Sequence, residues 1–82
     1  MITQKYLNTM ARLILHNDSE NSYLKIKASL IRYCNHEGIQ AEQCTVIAHN
    51  NGKVVIKEGD FMDLLKIRDN FEKHNINVEL TE

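Results

Sequence analysis

The chain lacks proline and tryptophan, and only 3 of its 82 residues are glycine. Because no proline-rich or glycine-rich stretch marks a linker, we predict a single domain over residues 1–82. No apolar run approaches the roughly 18–20 residues that a membrane-spanning helix needs. The first residues carry charge and no small-residue cleavage site, so we expect neither a membrane span nor a signal peptide. These absences predict a cytoplasmic location.

The chain also lacks a surplus of charge, since 10 basic and 11 acidic residues give a net charge of −1. Strong non-specific binding to nucleic acid needs a basic surplus or a dense basic patch, so nucleic acid is not the favoured partner. Cys34 and Cys44 are too few for a disulfide framework and are typical of a reducing compartment. The 43% hydrophobic content is ordinary for a globular domain.

The apolar residues near the start recur at helical spacing. Tyr6, Met10 and Ile14 are each four positions apart, with Leu7 and Ala11 beside them. This pattern predicts a first helix over about residues 3–15, with one face packed on the rest of the domain.

A second helix is predicted to begin at Asp18 or Ser19, either of which is a good N-terminal cap. It is expected to reach about residue 37, because Gly38 is suited to a left-handed residue after a helix. Alternating polarity over residues 23–28 leaves a strand open as an alternative in that stretch.

Two β-rich segments follow, at residues 44–49 and 53–57, and they predict a hairpin. A three-residue loop, with Gly52 left-handed in a bulge, separates apolar from polar side chains better than a two-residue loop. The open face of this hairpin is the predicted interaction surface, and it carries Thr45, Ile47, His49, Lys53, Val55 and Lys57.

The last part of the chain predicts a helix and a strand. Asp60 is placed to cap the helix, Asn75 to end it, and Ile76, Val78 and Leu80 alternate with polar residues. The predicted fold class is therefore α+β: two N-terminal helices, then a β-hairpin, a helix and a last strand (ααββαβ), with a small mostly antiparallel sheet covered by helices. The pattern leaves open whether the last strand pairs with the first or the second hairpin strand.

No catalytic, cofactor or metal site is predicted. Cys34, His36, Cys44 and His49 have the side chains of a zinc site but not its spacing, because structural zinc sites usually show two close pairs. The three glycines are each explained by a helix end or a turn, and they form no phosphate-binding loop. An enzyme is therefore not expected.

A short chain rich in Asn, Ile and Lys, without Trp or Pro, resembles the small cytoplasmic accessory proteins of T-even-like phages, such as the lysis-inhibition antiholins. That resemblance implies a binding protein without catalysis. We expect a non-enzymatic regulatory protein that binds another protein, with a homo-oligomer left open. The alternative is a small nucleic-acid-binding module that uses His49, Lys53 and Lys57.

Overall fold

The computed structural model describes residues 10–82, which form a helix-covered antiparallel sheet. In chain order the elements are β1 (Met10–His16), α1 (Tyr23–Cys34), α2 (Gly38–Asn51), β2 (Lys53–Asp60), α3 (Phe61–Lys73) and β3 (Val78–Thr81). The α+β class agrees with the prediction, but the order is βααβαβ, so the predicted order ααββαβ was wrong.

The central strand of the sheet is β1, with β2 on one side and β3 on the other, both antiparallel to it. Leu13 lies opposite both Lys57 and Leu80. The pairing with β2 shifts between Leu13 and Ile14, where Ile56 is an extra residue in a β-bulge.

The core lies between one face of this sheet and the three helices of residues 10–82. Ala11, Leu13 and Leu15 are buried at every second position along β1, whereas Met10 and Arg12 on either side of Ala11 are exposed. From the helices and the connection before β3, the largest fully buried side chains against this face are Phe71, Leu30, Leu64, Ile76 and Cys34. Burial of these apolar side chains is the main term that holds the helices on the sheet.

The first predicted helix was wrong for residues 10–15, which belong to β1, and its residues 3–9 lie outside the described part of the chain. The four-residue spacing of Met10 and Ile14 fits a helix, but the two-residue spacing of Ala11, Leu13 and Leu15 fits a strand equally well. Pairing on both edges decides the competition in favour of the strand.

Helix α1 begins and ends at different residues from those predicted. Ser22 is its N-cap, because the Ser22 hydroxyl accepts a hydrogen bond from the Lys25 backbone N–H at 3.1 Å. The helix ends at Cys34, since Asn35 takes the left-handed conformation with φ 59°. Gly38 therefore starts α2 rather than ending α1.

The predicted hairpin was also wrong, because its first strand is part of α2. Ala41, Thr45 and Ala48 are buried at helical spacing, and their small side chains let α2 pack closely on its neighbours. The Thr45 hydroxyl donates to the Ala41 carbonyl oxygen at 2.7 Å, so this buried hydroxyl has a partner within its own helix. Gly52 is left-handed, as predicted, but with φ 93° it ends α2 rather than forming a hairpin bulge.

The C-terminal predictions are confirmed. The Asp60 carboxylate accepts hydrogen bonds from the backbone N–H groups of Met62 and Asp63 at the start of α3. Asn75 is left-handed with φ 59° and follows the helix end. Within residues 10–82, no helix has the length and apolar content needed to cross a membrane.

Candidate functional site

A cleft opens between α1, α2 and the end of β1, and we call it the α1–α2 cleft. Its volume is about 510 Å³, within the range of pockets that bind small organic groups. The lining residues are Leu15, His16, Asn17, Asp18, Ser19, Asn21, Tyr23, Ile26, Thr45, Ala48 and His49.

The floor of the cleft is apolar and comes from three elements. Leu15 ends the buried row of β1, Ile26 lies one turn into α1, and Ala48 lies on the buried face of α2. Thr45 is also buried, but its hydroxyl already donates to Ala41 within α2. This floor favours an apolar side chain as the bound group, because removing apolar surface from water is favourable.

The rim is polar and is held in a defined conformation by its own hydrogen bonds. One carboxylate oxygen of Asp18 accepts the Glu20 backbone N–H at 2.8 Å, and the other accepts the Asn21 side-chain amide at 2.6 Å. The same Asn21 amide donates to the Asn75 carbonyl oxygen at 3.0 Å. A cleft with a pre-formed rim loses less conformational entropy when it binds a ligand.

Two backbone hydrogen bonds anchor the loop that carries this rim. The His16 N–H donates to the Asn77 carbonyl oxygen at 3.1 Å, and the Asn17 N–H donates to the Gly52 carbonyl oxygen at 2.8 Å. The rim therefore depends on the end of α2 and on the chain that enters β3.

One end of the rim is acidic. Asp18 brings a carboxylate whose two oxygens each keep acceptor capacity beyond the bonds described above. Desolvation, followed by the charge and hydrogen bond of the Glu42 carboxylate, raises the pKa of Tyr23, so its hydroxyl stays protonated. An apolar floor beside a carboxylate is suited to an apolar side chain that has a positive charge next to it.

The structure separates the six residues of the predicted interaction surface. Thr45 and His49 line the α1–α2 cleft, but they do so from a helix rather than from a strand. Ile47 is also on α2 and is exposed, but it does not line the cleft. Lys53 and Val55 lie on the uncovered face of β2, where they pair with His16 and Ile14 of β1.

The bulge at Ile56 explains why Lys57 leaves that uncovered face. Strict alternation would place Lys57 beside Val55, but the extra residue turns it towards the helices. Its ammonium group donates to the Cys34 carbonyl oxygen at 3.3 Å, at the end of α1. Whether any of the six residues contacts a partner stays a prediction.

Most of the cleft was not predicted from the sequence, including Asn17, Asp18, Asn21, Tyr23 and Ile26. One available signal was the polar run of residues 16–22, which follows an apolar segment and precedes a helix. Within that run, Asp18 and Ser19 were predicted only as caps of the second helix.

The thiols and the remaining histidine of the zinc-like set have other roles in the structure. Burial raises the pKa of the Cys34 thiol to about 12, against a smaller lowering by Lys57, and burial also raises the pKa of Cys44. His36 is buried and its Nε2–H donates to the Ile56 carbonyl oxygen at 2.7 Å. Within the described residues, no group of three or more His, Cys, Asp or Glu side chains is arranged to hold a metal ion.

The fold and the cleft define a class: a small α+β module with a half-apolar cleft between two of its helices. A comparison with known families gives the family itself. The model of ClpS, the ATP-dependent Clp protease adaptor protein, matches residues 7–77. Because this match covers most of the sequence, the chain belongs to the ClpS family. A search of curated proteins finds no match.

This membership overturns the resemblance to phage antiholins, which was wrong. Richness in Asn, Ile and Lys describes composition, whereas the fold is specified by the order of buried positions. The broader prediction of a non-enzymatic protein that acts by binding another protein is confirmed, because the family is one of protease adaptors. The comparison gives no support to a homo-oligomer or to a nucleic-acid partner.

Proposed function

We propose that this protein delivers substrate proteins to a Clp protease, by holding a segment of the substrate in the α1–α2 cleft. The family match supplies the partner protease. The observation that supports the cleft as the holding site is its composition, with Leu15, Ile26 and Ala48 at the floor and Asp18 at the rim. As predicted from the sequence, we place this function in the cytoplasm.

The geometry favours one kind of segment. A large apolar side chain fills the floor, and a positively charged group beside it lies near Asp18. Charge complementarity sets orientation and specificity, whereas burial of the apolar side chain supplies most of the affinity. His49 is exposed on the opposite wall and offers one imidazole nitrogen to the polar backbone of the segment.

The experiment is a titration of fluorescent peptides, each with one leucine beside a positively charged group. A matched peptide has serine in place of leucine, and another has the positive charge removed by acetylation. We expect each change to weaken binding by about tenfold, since a buried apolar side chain or a paired charge contributes on the order of 1.5 kcal/mol.

Two variants test the role of Asp18 in this titration. Asp18→Asn removes the carboxylate charge, and we expect it to abolish the preference for the charged peptide over the acetylated one. Glu20→Gln is the control, because it removes an exposed carboxylate from the same loop outside the cleft lining. Equal behaviour of the two variants would refute the proposed role of Asp18.

The wider proposal has a separate test. With a purified Clp protease, the protein should accelerate degradation of a substrate that exposes such a segment, and excess free peptide should suppress the acceleration. If excess peptide leaves the rate of degradation unchanged, the cleft has no role in substrate delivery.

A further inference from the structure

A second, smaller cleft lies on another face of α1, where the end of α3 approaches it. Its volume is about 160 Å³, and we call it the α1–α3 cleft. Its lining residues are Lys25, Ala28, Ser29, Arg32, Tyr33 and His74. The volume is below the roughly 300–1,000 Å³ of pockets for drug-sized ligands, so the cleft accommodates one small group.

Within the part of the chain that the structure describes, the positive charge of this cleft has no acidic partner. Among residues 10–82, neither Lys25 nor Arg32 forms an ion pair with a carboxylate. Lys27, between them in sequence, pairs with Glu42 at 4.0 Å. The carboxylates at the end of α3 are likewise engaged, since Arg68 contacts Asp69 at 3.5 Å and Glu72 at 3.7 Å.

Lys25 and Arg32 line the same cleft because of their helical spacing. Lys25 and Arg32 are seven residues apart, with Ser29 between them, and residues at such spacing share one face of a helix. The Ser29 hydroxyl donates to the Lys25 carbonyl oxygen at 2.8 Å, so its proton is already used within α1. The Arg32 guanidinium lies 5.7 Å from the centroid of the Tyr33 ring.

The other wall is a tyrosine–histidine pair in a fixed arrangement. The Tyr33 hydroxyl and His74 Nε2 are 2.6 Å apart, and the two rings stack with centroids 5.6 Å apart. Tyr33 also packs edge-on against Phe71 in the core. If the hydroxyl donates to the imidazole, Nδ1–H stays free; if the imidazole donates, the hydroxyl proton stays free. One additional donor therefore remains in either tautomer.

We propose that the α1–α3 cleft is a binding site for a phosphate group, either inorganic phosphate or a phosphate monoester. The cleft combines a guanidinium, which matches two phosphate oxygens at once, with an ammonium and a further O–H or N–H donor. The unpaired charge of Lys25 and Arg32 complements a dianion, and the small volume suits a single tetrahedral group. This inference is independent of the proposed role in substrate delivery.

The experiment follows backbone amide signals by NMR while inorganic phosphate is added, with chloride at matched ionic strength as the reference. We expect saturable shifts that are centred on residues 25–33 and His74. Arg32→Gln should weaken the affinity by about tenfold, as expected when one charge-assisted contact is lost. Lys27→Gln is the matched control, because it removes a charge from the same helix outside the cleft, and its affinity should stay within about twofold.

A second variant separates the geometry from the overall charge. Tyr33→Phe keeps the ring packed on Phe71 but removes the hydroxyl, and it should weaken phosphate binding without changing net charge. A titration with phosphoserine distinguishes the two possible ligands. If this monoester binds at least as tightly as inorganic phosphate, the natural ligand is a phosphate ester. Absence of saturable shifts with both probes would overturn the proposal, as would equal losses in Arg32→Gln and Lys27→Gln.

Discussion

Helix α1 is a wall of two clefts that differ in almost every chemical respect. Towards α2 it contributes Tyr23 and Ile26 to a cleft of about 510 Å³ with an apolar floor. Towards the end of α3 it contributes Lys25 and Arg32 to a cleft of about 160 Å³ with unpaired positive charge. Because a helix turns about 100° per residue, neighbouring residues supply opposite chemistry to two sites without interfering. One short helix thereby separates an apolar cleft from a positively charged one.

The largest effect is expected from removal of the side chain that fixes this shared wall. Leu30 is 0% exposed, and Leu30→Ala should lower the free energy of unfolding by about 2–5 kcal/mol, because it leaves a cavity under α1. Leu24→Ala makes the same change on the same helix at a residue that is 74% exposed, and it should cost less than about 0.5 kcal/mol. Urea unfolding measures both, and similar losses would contradict the assignment of the buried face of α1.

The reactivities of Cys34 and Cys44 allow a comparison of α1, which lines both clefts, with α2, which lines only the larger cleft. Cys34 is at the end of α1 and is 2% exposed, whereas Cys44 on α2 is half-buried. Alkylation requires the thiolate, so at neutral pH Cys34 should react at least about tenfold more slowly than Cys44. Mass spectrometry of partly alkylated protein measures the ratio. Faster labelling of Cys34 would show that the end of α1 opens more readily than α2.

The raised pKa of Cys34 also determines how the stability of the protein changes at alkaline pH. The thiol ionises near 9.0 when unfolded and near 12 when folded, so the unfolded state releases its proton first as pH rises. The contribution of the neutral thiol to the free energy of unfolding is fully present below pH 9.0 and is lost as the pH rises towards 12. Cys34→Ser, which does not ionise in this range, should have a flatter alkaline unfolding profile.

Filling one cleft should leave the other unchanged. Ala48 is 4% exposed and lines only the larger cleft, so Ala48→Leu should weaken binding of the leucine peptide by about tenfold while phosphate binding is retained. Val46→Leu adds apolar volume on the exposed side of the same helix and serves as the control. Circular dichroism confirms that each variant is folded. Loss of phosphate binding in Ala48→Leu would show that the clefts are coupled through α1.

The smallest expected effect compares the two ends of α2. Gly52 has φ 93°, a conformation that strains any side chain, so Gly52→Ala should destabilise the protein by about 1 kcal/mol. Gly38→Ala has open space around its new Cβ and lies in the first turn of the helix, so it should stabilise by a few tenths to about 1 kcal/mol. Thermal unfolding gives both signs. The same sign for both would contradict the conformations assigned to these glycines.

The C-terminal part of the domain could be predicted from the sequence because its local signals agree with one another. Around α3, the cap at Asp60, the apolar stripe and the left-handed Asn75 all point to one structure. In β1 the helical and strand periods compete, and only pairing with both neighbouring strands decides between them. In α2 the β-branched Thr45, Val46 and Ile47 favour a strand, and the burial of small residues on one face outweighs them.

The sites were harder to predict than the elements, because each is assembled from segments that are distant in sequence. Thr45 and His49 were singled out for a sheet face, and they line the α1–α2 cleft from a helix. Their neighbours in the cleft, such as Leu15 and Ile26, become neighbours only once the order of elements is correct. Lys25 and His74 meet for the same reason.

The two backbone bonds that anchor the rim of the larger cleft have a consequence for the order of folding. The backbone N–H of His16 donates to Asn77 and that of Asn17 donates to Gly52. The rim therefore forms only after distant parts of the chain have come together. Contacts between residues distant in sequence carry the highest cost in chain entropy, so we expect them to form late. An emerging or incompletely folded chain therefore has no finished cleft, and under the proposed function only a folded molecule would hold a substrate segment.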